Sequence, residues 1–175
     1  MSVCLVLGGA RSGKSAHAQR AAEAAARDRG LTAIFIATAA AGDAEMAERI
    51  ARHQADRAQG WRTIEAPLDL AGAVADLSAD DVAVIDCLTL WLSNSMIEPE
   101  GHAERVAGLV PALAACPAAL WVVSNEVGWG IVPDNALARA FRDEAGRLHQ
   151  ALAAAAGEVV LVVAGLPLAL KPAQT

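Results

Sequence analysis

The chain has 175 residues, of which 55% are hydrophobic and many of those alanine, and its formal net charge is −6 at pH 7. This length predicts a single domain over residues 1–175 with a substantial core. The negative charge argues against nucleic-acid binding through a broadly basic surface, and no uncharged apolar run is long enough to cross a bilayer.

Strand-like and helix-like patterns alternate along the chain. Five apolar runs rich in β-branched residues predict strands: Val3–Leu7, Ala33–Ala37, Val82–Ile85, Leu120–Val123 and Val159–Val163. Five further patterns predict helices: Lys14–Arg29, Ala44–Gln59, Leu68–Leu77, Ala103–Ala115 and Asn135–Ala156. Apolar strands separated by helices predict a mostly parallel sheet with helices on both faces, an α/β fold. The pattern also allows a short strand over Arg62–Glu65, a last edge strand over Leu166–Leu170, and a surface loop over Ile97–His102.

The N-terminus and the cysteines indicate a compartment. The first residues lack the charged start and the cleavage site of a secretion signal. The cysteines, Cys4, Cys87 and Cys116, are far apart in sequence. Because Cys4 and Cys87 fall within or at the end of strand-like segments, they are interpreted as buried thiols and not as disulfide partners or zinc ligands. We therefore expect a cytoplasmic protein.

One segment fits the phosphate-binding pattern G-x-x-x-x-G-K-[ST], namely Gly8-Gly9-Ala10-Arg11-Ser12-Gly13-Lys14-Ser15. It follows an apolar strand and precedes a helical stretch, which is the context that the pattern requires. Its glycines let backbone N–H groups turn toward phosphate oxygens, and the helix that follows adds the positive end of its dipole. Lys14 would reach the terminal phosphates and the Ser15 hydroxyl would ligate Mg²⁺. A glycine turn that merely joins strand to helix is disfavoured, since every fixed position is filled. We expect the chain to bind a nucleoside triphosphate.

Further candidates lie just after the other apolar runs, because parallel sheets bind ligands at the carboxyl ends of their strands. Asp86 directly follows Val82–Ile85, and an acid there is costly unless a cation holds it. The favoured interpretation is a contact to Mg²⁺, and the alternative is an N-cap for the helical segment that follows. Asn125 and Glu126 come shortly after the apolar run Leu120–Val123. They either contact substrate or cap their own turn.

The predicted helix over Ala44–Gln59 has a basic face. Residues four apart share a face, so Arg49, His53 and Arg57 line up. The arginines favour a neutral imidazole, which is the nucleophilic form, and could grip phosphate oxygens. Spacing alone favours the alternative, a solvated basic face balanced by neighbouring acids. The other histidines are weaker candidates: His17, His102 and His149.

Several stretches are distinctive when taken together: Gly8–Ser15, Ile36–Thr38, Met46–His53, Trp61–Glu65, Asp86–Thr89, Ser124–Pro133 and Arg139–Arg147. With them the sequence resembles, nearly end to end, the bifunctional adenosylcobinamide kinase / adenosylcobinamide-phosphate guanylyltransferase family of cobalamin biosynthesis. The most particular parts are the block Asn-Glu-Val-Gly-x-Gly-Ile-Val-Pro within Ser124–Pro133 and the helix that carries His53.

The resemblance implies two reactions. ATP or GTP phosphorylates the aminopropanol hydroxyl of adenosylcobinamide, and GMP then moves from GTP onto adenosylcobinamide phosphate. It also implies a RecA-like P-loop NTPase fold, a homotrimer and GMP carried covalently on His53. The motifs add Lys14 as a second catalytic residue, and Ser15 and Asp86 as the residues that hold Mg²⁺. The nucleotide contacts that the resemblance implies are Gly8, Gly9, Ala10, Arg11, Ser12, Gly13, Lys14, Ser15, Ala37, Thr38, Ala39, Gln54, Ala55, Asp56, Arg57, Glu65 and Asp86.

Two readings from other classes stay open on the motifs alone. One is a simple small-molecule kinase, which needs no covalent nucleotide. The other is a non-catalytic regulator that responds to a bound nucleotide. A switch GTPase is disfavoured because the nearest stretch to its guanine-reading Asn-Lys-x-Asp motif, Ser124–Val127, lacks the lysine and the aspartate.

Overall fold

A computed structural model describes residues 3–39 and 60–173. Within these ranges the strands are β1 (Val3–Gly8), β2 (Ala33–Ala37), β3 (Arg62–Glu65), β4 (Val82–Asp86), β5 (Ala119–Asn125), β6 (Glu158–Val163) and β7 (Leu166–Lys171). The helices there are α1 (Lys14–Asp28), α2 (Leu70–Ala75), α3 (Leu88–Ile97), α4 (His102–Ala115) and α5 (Ala136–Ala155). The predicted alternation of strands and helices is therefore present along the described chain. The predicted helix over Ala44–Gln59 lies outside the described residues.

The strands form one sheet in the order β3-β2-β4-β5-β1-β6-β7. Each neighbouring pair is parallel except β6 and β7, which run antiparallel. The prediction of a mostly parallel sheet is confirmed, and so are the short strand β3 and the edge strand β7. Because β1 lies between β5 and β6, the loop that follows it has a strand on either side.

The core consists of two layers, one on each face of the sheet. Successive side chains of a strand point to opposite faces, so Leu5 of β1 packs with α2–α5 while Val6 packs with α1. The inner face of α1 is a stripe of alanines at helical spacing: Ala18, Ala22 and Ala26. Side chains this small let α1 lie close against the strands. That contact positions the start of α1 at the end of β1.

The connection between α3 and α4 differs from the prediction. His102 does not lie in the surface loop but begins α4, where it is half-buried. Its Nδ1 is 2.9 Å from Ser95 Oγ, and its Nε2 is 3.3 Å from Glu144 Oε2. Arg105 closes the turn by donating to Ser95 Oγ at 2.9 Å and to the carbonyl oxygen of Glu100 at 2.7 Å. These bonds draw the end of the predicted loop into the helix.

The cysteines are free thiols at buried positions. Burial raises the pKa of Cys4 to about 12, with a further contribution from the carboxylate of Glu158. The interpretation of Cys4 and Cys87 as buried thiols is confirmed. Within the described ranges, no helix has both the length and the apolarity needed to cross a bilayer.

Candidate active site

The phosphate loop connects the end of β1 to the start of α1. Arg11 has a φ of 56° and Gly13 a φ of 93°, so both are left-handed. Turns that contain left-handed residues make backbone N–H groups converge on an anion. Gly13 is the N-cap of α1, no side chain caps the helix, and its first turn holds no acidic residue. The loop and the helix start therefore present backbone donors and positive potential to one point.

At two positions of the loop, neighbouring atoms lie so close that only glycine fits. A Cβ on Gly8 would overlap Ser12 Oγ and would lie 2.6 Å from the carbonyl oxygen of Val162. A Cβ on Gly13 would lie 3.2 Å from Gly165 Cα, in addition to the strain of its positive φ. Gly165 also donates its N–H to the carbonyl oxygen of Ser12 at 2.8 Å. The turn between β6 and β7 thus braces the phosphate loop from one side.

Lys14 lies inside the curve of the loop. Its side chain is buried, with 7% of the residue exposed. The Nζ atom donates to the carbonyl oxygen of Gly9 at 3.1 Å. A cation removed from water in this way interacts strongly with an anion that enters the same space. This position suits the charge-neutralising role that the motif predicts.

The hydroxyl of Ser12 is buried and has no hydrogen-bond partner, as the sole such side-chain atom of the described chain. Leaving a buried polar group unsatisfied costs about 1–3 kcal/mol. A phosphate oxygen in the loop would satisfy it. The residues present therefore fit a bound phosphate by geometry as well as by sequence pattern.

Asp86 is the last residue of β4 and is half-buried. The N-cap of α3 is Cys87, so the alternative interpretation of Asp86 as a helix cap is wrong, because the strand runs one residue further than its apolar run. Burial raises the pKa of the Cys87 thiol, the charge of Asp86 raises it further, and the charge of Lys14 lowers it. The carboxylate and the ammonium group thus act on the same thiol from the same edge of the sheet.

The donor set also fits Mg²⁺. Ser15 offers a hydroxyl in the first turn of α1, and Asp86 offers a carboxylate; both are oxygen ligands that Mg²⁺ prefers. No cluster of three or more His, Cys, Asp or Glu side chains able to hold a metal ion occurs in residues 3–39 and 60–173. Mg²⁺ commonly uses one or two protein ligands, water and substrate phosphates. A nucleotide-dependent site needs nothing more from the described protein groups.

The segment after β2 is tied to the segment after β4. Thr38 is fully buried; its hydroxyl donates to the carbonyl oxygen of Cys87 and accepts from the N–H of Cys87, both at 2.8 Å. Asn94 of α3 donates to the carbonyl oxygen of Thr38, also at 2.8 Å. The Thr38 side chain therefore holds two strand ends together. Ala37 and Ala39 on either side of it are only half-buried.

The remaining predicted residues lie farther away or outside the described chain. Glu65 ends β3 opposite Ala37, at the same edge of the sheet. The strands β2, β4 and β5 separate it from β1, so the structure does not bring it next to the phosphate loop. The predicted nucleophile and the contacts that follow it fall outside the described residues: His53, Gln54, Ala55, Asp56 and Arg57.

The segment after β5 starts beside the phosphate loop. The strand includes Asn125, and Glu126 then donates its N–H to the carbonyl oxygen of Gly8 at 2.9 Å. The side chain of Asn125 donates to Thr89 Oγ1 at 2.9 Å. Glu126 Oε1 accepts from the N–H of Gly128 at 2.7 Å. Of the two interpretations of Glu126, the turn cap is therefore present, and a substrate contact stays a prediction.

One buried polar pair was not predicted. Ser124 Oγ lies 2.7 Å from His149 Nε2, and His149 Nδ1 lies 3.9 Å from Glu126 Oε2. Burial lowers the pKa of His149, while the charge of Glu126 acts in the opposite direction. The helical period contained the signal, because His149 falls among the buried positions of α5: Ala145, Leu148 and Leu152.

The profile of the family described as cobinamide kinase / cobinamide phosphate guanyltransferase matches residues 4–170. The chain belongs to this family. One relative, the bifunctional adenosylcobalamin biosynthesis protein CobP of Pseudomonas aeruginosa, is 46% identical over 170 residues, which cover 95% of this chain and 96% of the relative. Another, the bifunctional adenosylcobalamin biosynthesis protein CobU of Escherichia coli K12, is 40% identical over 183 residues, with 95% and 98% covered.

A solved structure shares the fold. The flagellar accessory protein FlaH of Methanocaldococcus jannaschii superposes with a TM-score of 0.52 at 13% identity, over 98% of this chain and 79% of FlaH. At that identity the likeness concerns the fold alone. The predicted P-loop NTPase fold is confirmed, and so is the predicted family of bifunctional kinases and guanylyltransferases.

Proposed function

We propose that the protein phosphorylates adenosylcobinamide with ATP or GTP and then transfers GMP from GTP to adenosylcobinamide phosphate, with His53 carrying the GMP covalently. The family supplies the two activities. The observation that supports this site for them is the buried Lys14, enclosed by a phosphate loop whose Ser12 hydroxyl lacks a partner. Both reactions break a phosphoanhydride bond, so one charge-neutralising loop can serve both.

In the kinase step, the aminopropanol hydroxyl attacks the γ-phosphorus of the nucleotide. The bond from that phosphorus to the bridging oxygen breaks, the nucleoside diphosphate leaves, and the proton of the hydroxyl passes to solvent water. Lys14 and the loop N–H groups stabilise the charge on the departing phosphates. Mg²⁺ held by Ser15 and Asp86 would supply further positive charge there.

In the transferase step, the imidazole of His53 attacks the α-phosphorus of GTP and pyrophosphate leaves. The phosphate of adenosylcobinamide phosphate then attacks the phosphorus of the GMP-histidine, which forms the new diphosphate and frees His53. Splitting the transfer makes each part a simple in-line displacement. Lys14 again stabilises the charge of the leaving pyrophosphate.

A labelling experiment tests the covalent step. The purified protein is incubated with Mg²⁺ and GTP radiolabelled at the α-phosphate, denatured, and examined for acid-labile label. We expect label on the wild type and on a matched His102→Ala control, and none on His53→Ala or from GTP labelled at the γ-phosphate. His53→Ala should keep the kinase step. Absence of label with nucleotide binding intact would favour the simple kinase.

We also propose a homotrimer in the cytoplasm. The edge strand β7 exposes Leu166, Leu168 and Leu170, which lie on one face because they are two residues apart. An uncovered apolar edge strand favours aggregation, so a neighbouring subunit is a fitting cover. The free thiols are compatible with a reducing compartment. Sedimentation equilibrium of the purified protein measures the subunit number, and any number other than three would contradict the proposal.

A further inference from the structure

The loop between β5 and α5 exposes an unusual amount of apolar surface. Trp129 is 76% exposed, Ile131 98% and Val132 62%, and Leu137 in the first turn of α5 is 66% exposed. Single exposed apolar residues are normal on a protein surface. Several large ones from one short segment mark a binding surface.

This loop is anchored at both ends. It begins at Glu126, whose N–H donates to the carbonyl oxygen of Gly8, the first residue of the phosphate loop, at 2.9 Å. At the other end, Arg139 donates to the carbonyl oxygens of Pro133 at 2.9 Å and Asp134 at 2.8 Å. The side chain of Asn135 caps α5 by accepting from Ala138 N–H at 2.7 Å. The apolar side chains are thus presented from a built loop.

We propose that the side chains of Trp129, Ile131, Val132 and Leu137 bind the corrin ring of adenosylcobinamide and of its phosphate. This inference rests on the proposed function. The reacting hydroxyl stands on a short aminopropanol arm, and it must reach a terminal phosphate held at Lys14. The ring must therefore lie beside the phosphate loop, at the carboxyl edge of the sheet.

The two segments that flank β1 at this edge differ in what they offer. The turn after β6 consists of Ala164 and Gly165, and its Gly165 N–H is used to hold Ser12. The loop after β5 is longer and carries Trp129, Ile131 and Val132, and Leu137 follows in the first turn of α5. A corrin ring has broad faces bearing methyl groups and a rim of amide arms. The indole and aliphatic side chains match the apolar faces of the ring. Backbone N–H and carbonyl groups are the kind of hydrogen-bonding partner that the rim amides require.

Paired variants test this inference in the kinase assay. Trp129→Ala and Ile131→Ala should each raise the KM for adenosylcobinamide by about tenfold, as expected from the loss of one buried apolar side chain. The KM for the nucleotide and the kcat at saturating corrinoid should stay as in the wild type. The matched control is Ile97→Ala, because Ile97 is 72% exposed at the last residue of α3, about 15 Å along the helix from the sheet edge. It should leave all three constants unchanged.

Three results would overturn the inference. An unchanged corrinoid KM in both loop variants removes these side chains from the site. A raised KM together with a changed subunit number in sedimentation shows that the loop contacts a second copy of the chain instead. Failure of the wild type to phosphorylate adenosylcobinamide would contradict the proposed function itself. The wild-type assay alone gives that result, so it is distinguished from the two outcomes that depend on the variants.

Discussion

Ser124 Oγ and His149 Nε2 lie 2.7 Å apart and join the end of β5 to the middle of α5. Both residues are buried. Burial lowers the pKa of His149, and Glu126 only partly opposes this effect. The imidazole is therefore kept neutral at physiological pH. Protonation would place a positive charge in this buried site, which is costly.

Stability should consequently fall in mild acid. The unfolded chain binds a proton on His149 near the ordinary pKa of 6.5, whereas the folded protein resists protonation to lower pH. The stability that the protein gains from keeping His149 neutral is thus fully present above that ordinary pKa. It is lost as pH falls from there toward the lowered pKa of the folded protein. The slope for one proton is at most about 1.4 kcal/mol per pH unit. Denaturant unfolding at several pH values measures it.

Two variants separate titration from hydrogen bonding. His149→Gln should flatten the pH dependence in this window, since glutamine does not titrate. Ser124→Ala should keep the slope and lower stability at every pH by about 1–3 kcal/mol, because it leaves the buried Nε2 of His149 without a partner. An equally steep slope in His149→Gln would assign the acid sensitivity to another group.

Lys14→Ala should slow both reactions by a factor of about 10²–10³, because in both steps Lys14 stabilises the charge on the departing phosphates. Lys171, the other lysine of the chain, is a matched control. Its Nζ donates to carbonyl oxygens at the end of α5, so Lys171→Ala should cost about 0.5–1 kcal/mol of stability and leave both rates intact. Normal rates in Lys14→Ala would refute the phosphate-loop assignment.

Gly8→Ala should abolish nucleotide binding. The added Cβ would meet Ser12 Oγ and the carbonyl oxygen of Val162, and backbone of the sheet cannot easily move. Gly108 in α4 has open space around the same position, so Gly108→Ala should bind nucleotide normally and gain about 0.5–1 kcal/mol from helix propensity. Calorimetric titration with GTP compares the two. Tight binding by Gly8→Ala would show that the loop tolerates a different shape.

Ser12→Ala should affect the free and the bound protein in opposite ways. The buried hydroxyl has no partner, so its removal should leave thermal stability without nucleotide equal or higher. Affinity for GTP should fall, because the hydroxyl is expected to bond a phosphate oxygen. Melting temperatures with and without GTP measure both effects. A loss of stability without nucleotide would reveal a structural role for this hydroxyl.

The sequence was most informative where its pattern had a single physical solution. Apolar β-branched runs predicted the strands, and the glycine-lysine motif predicted the loop whose glycines prove sterically necessary. The end of β5 was placed too early because Ser124 and Asn125 are polar, yet both pair with β1. Ser124 faces His149 there, and no local pattern specifies a contact between residues so far apart. Helical spacing indicates which face is buried, but the partner on that face depends on the order of the strands.

That order also governs when the phosphate loop can form. β1 is made before the other described strands, yet both of its neighbours in the sheet, β5 and β6, come from residues beyond 118. Contacts this distant in sequence are slow to form. A ribosome therefore releases the loop-bearing strand long before any partner for it exists. In the growing chain, nucleotide binding would mark the arrival of β5 and β6, so a strand made early becomes functional only once these later strands have joined it.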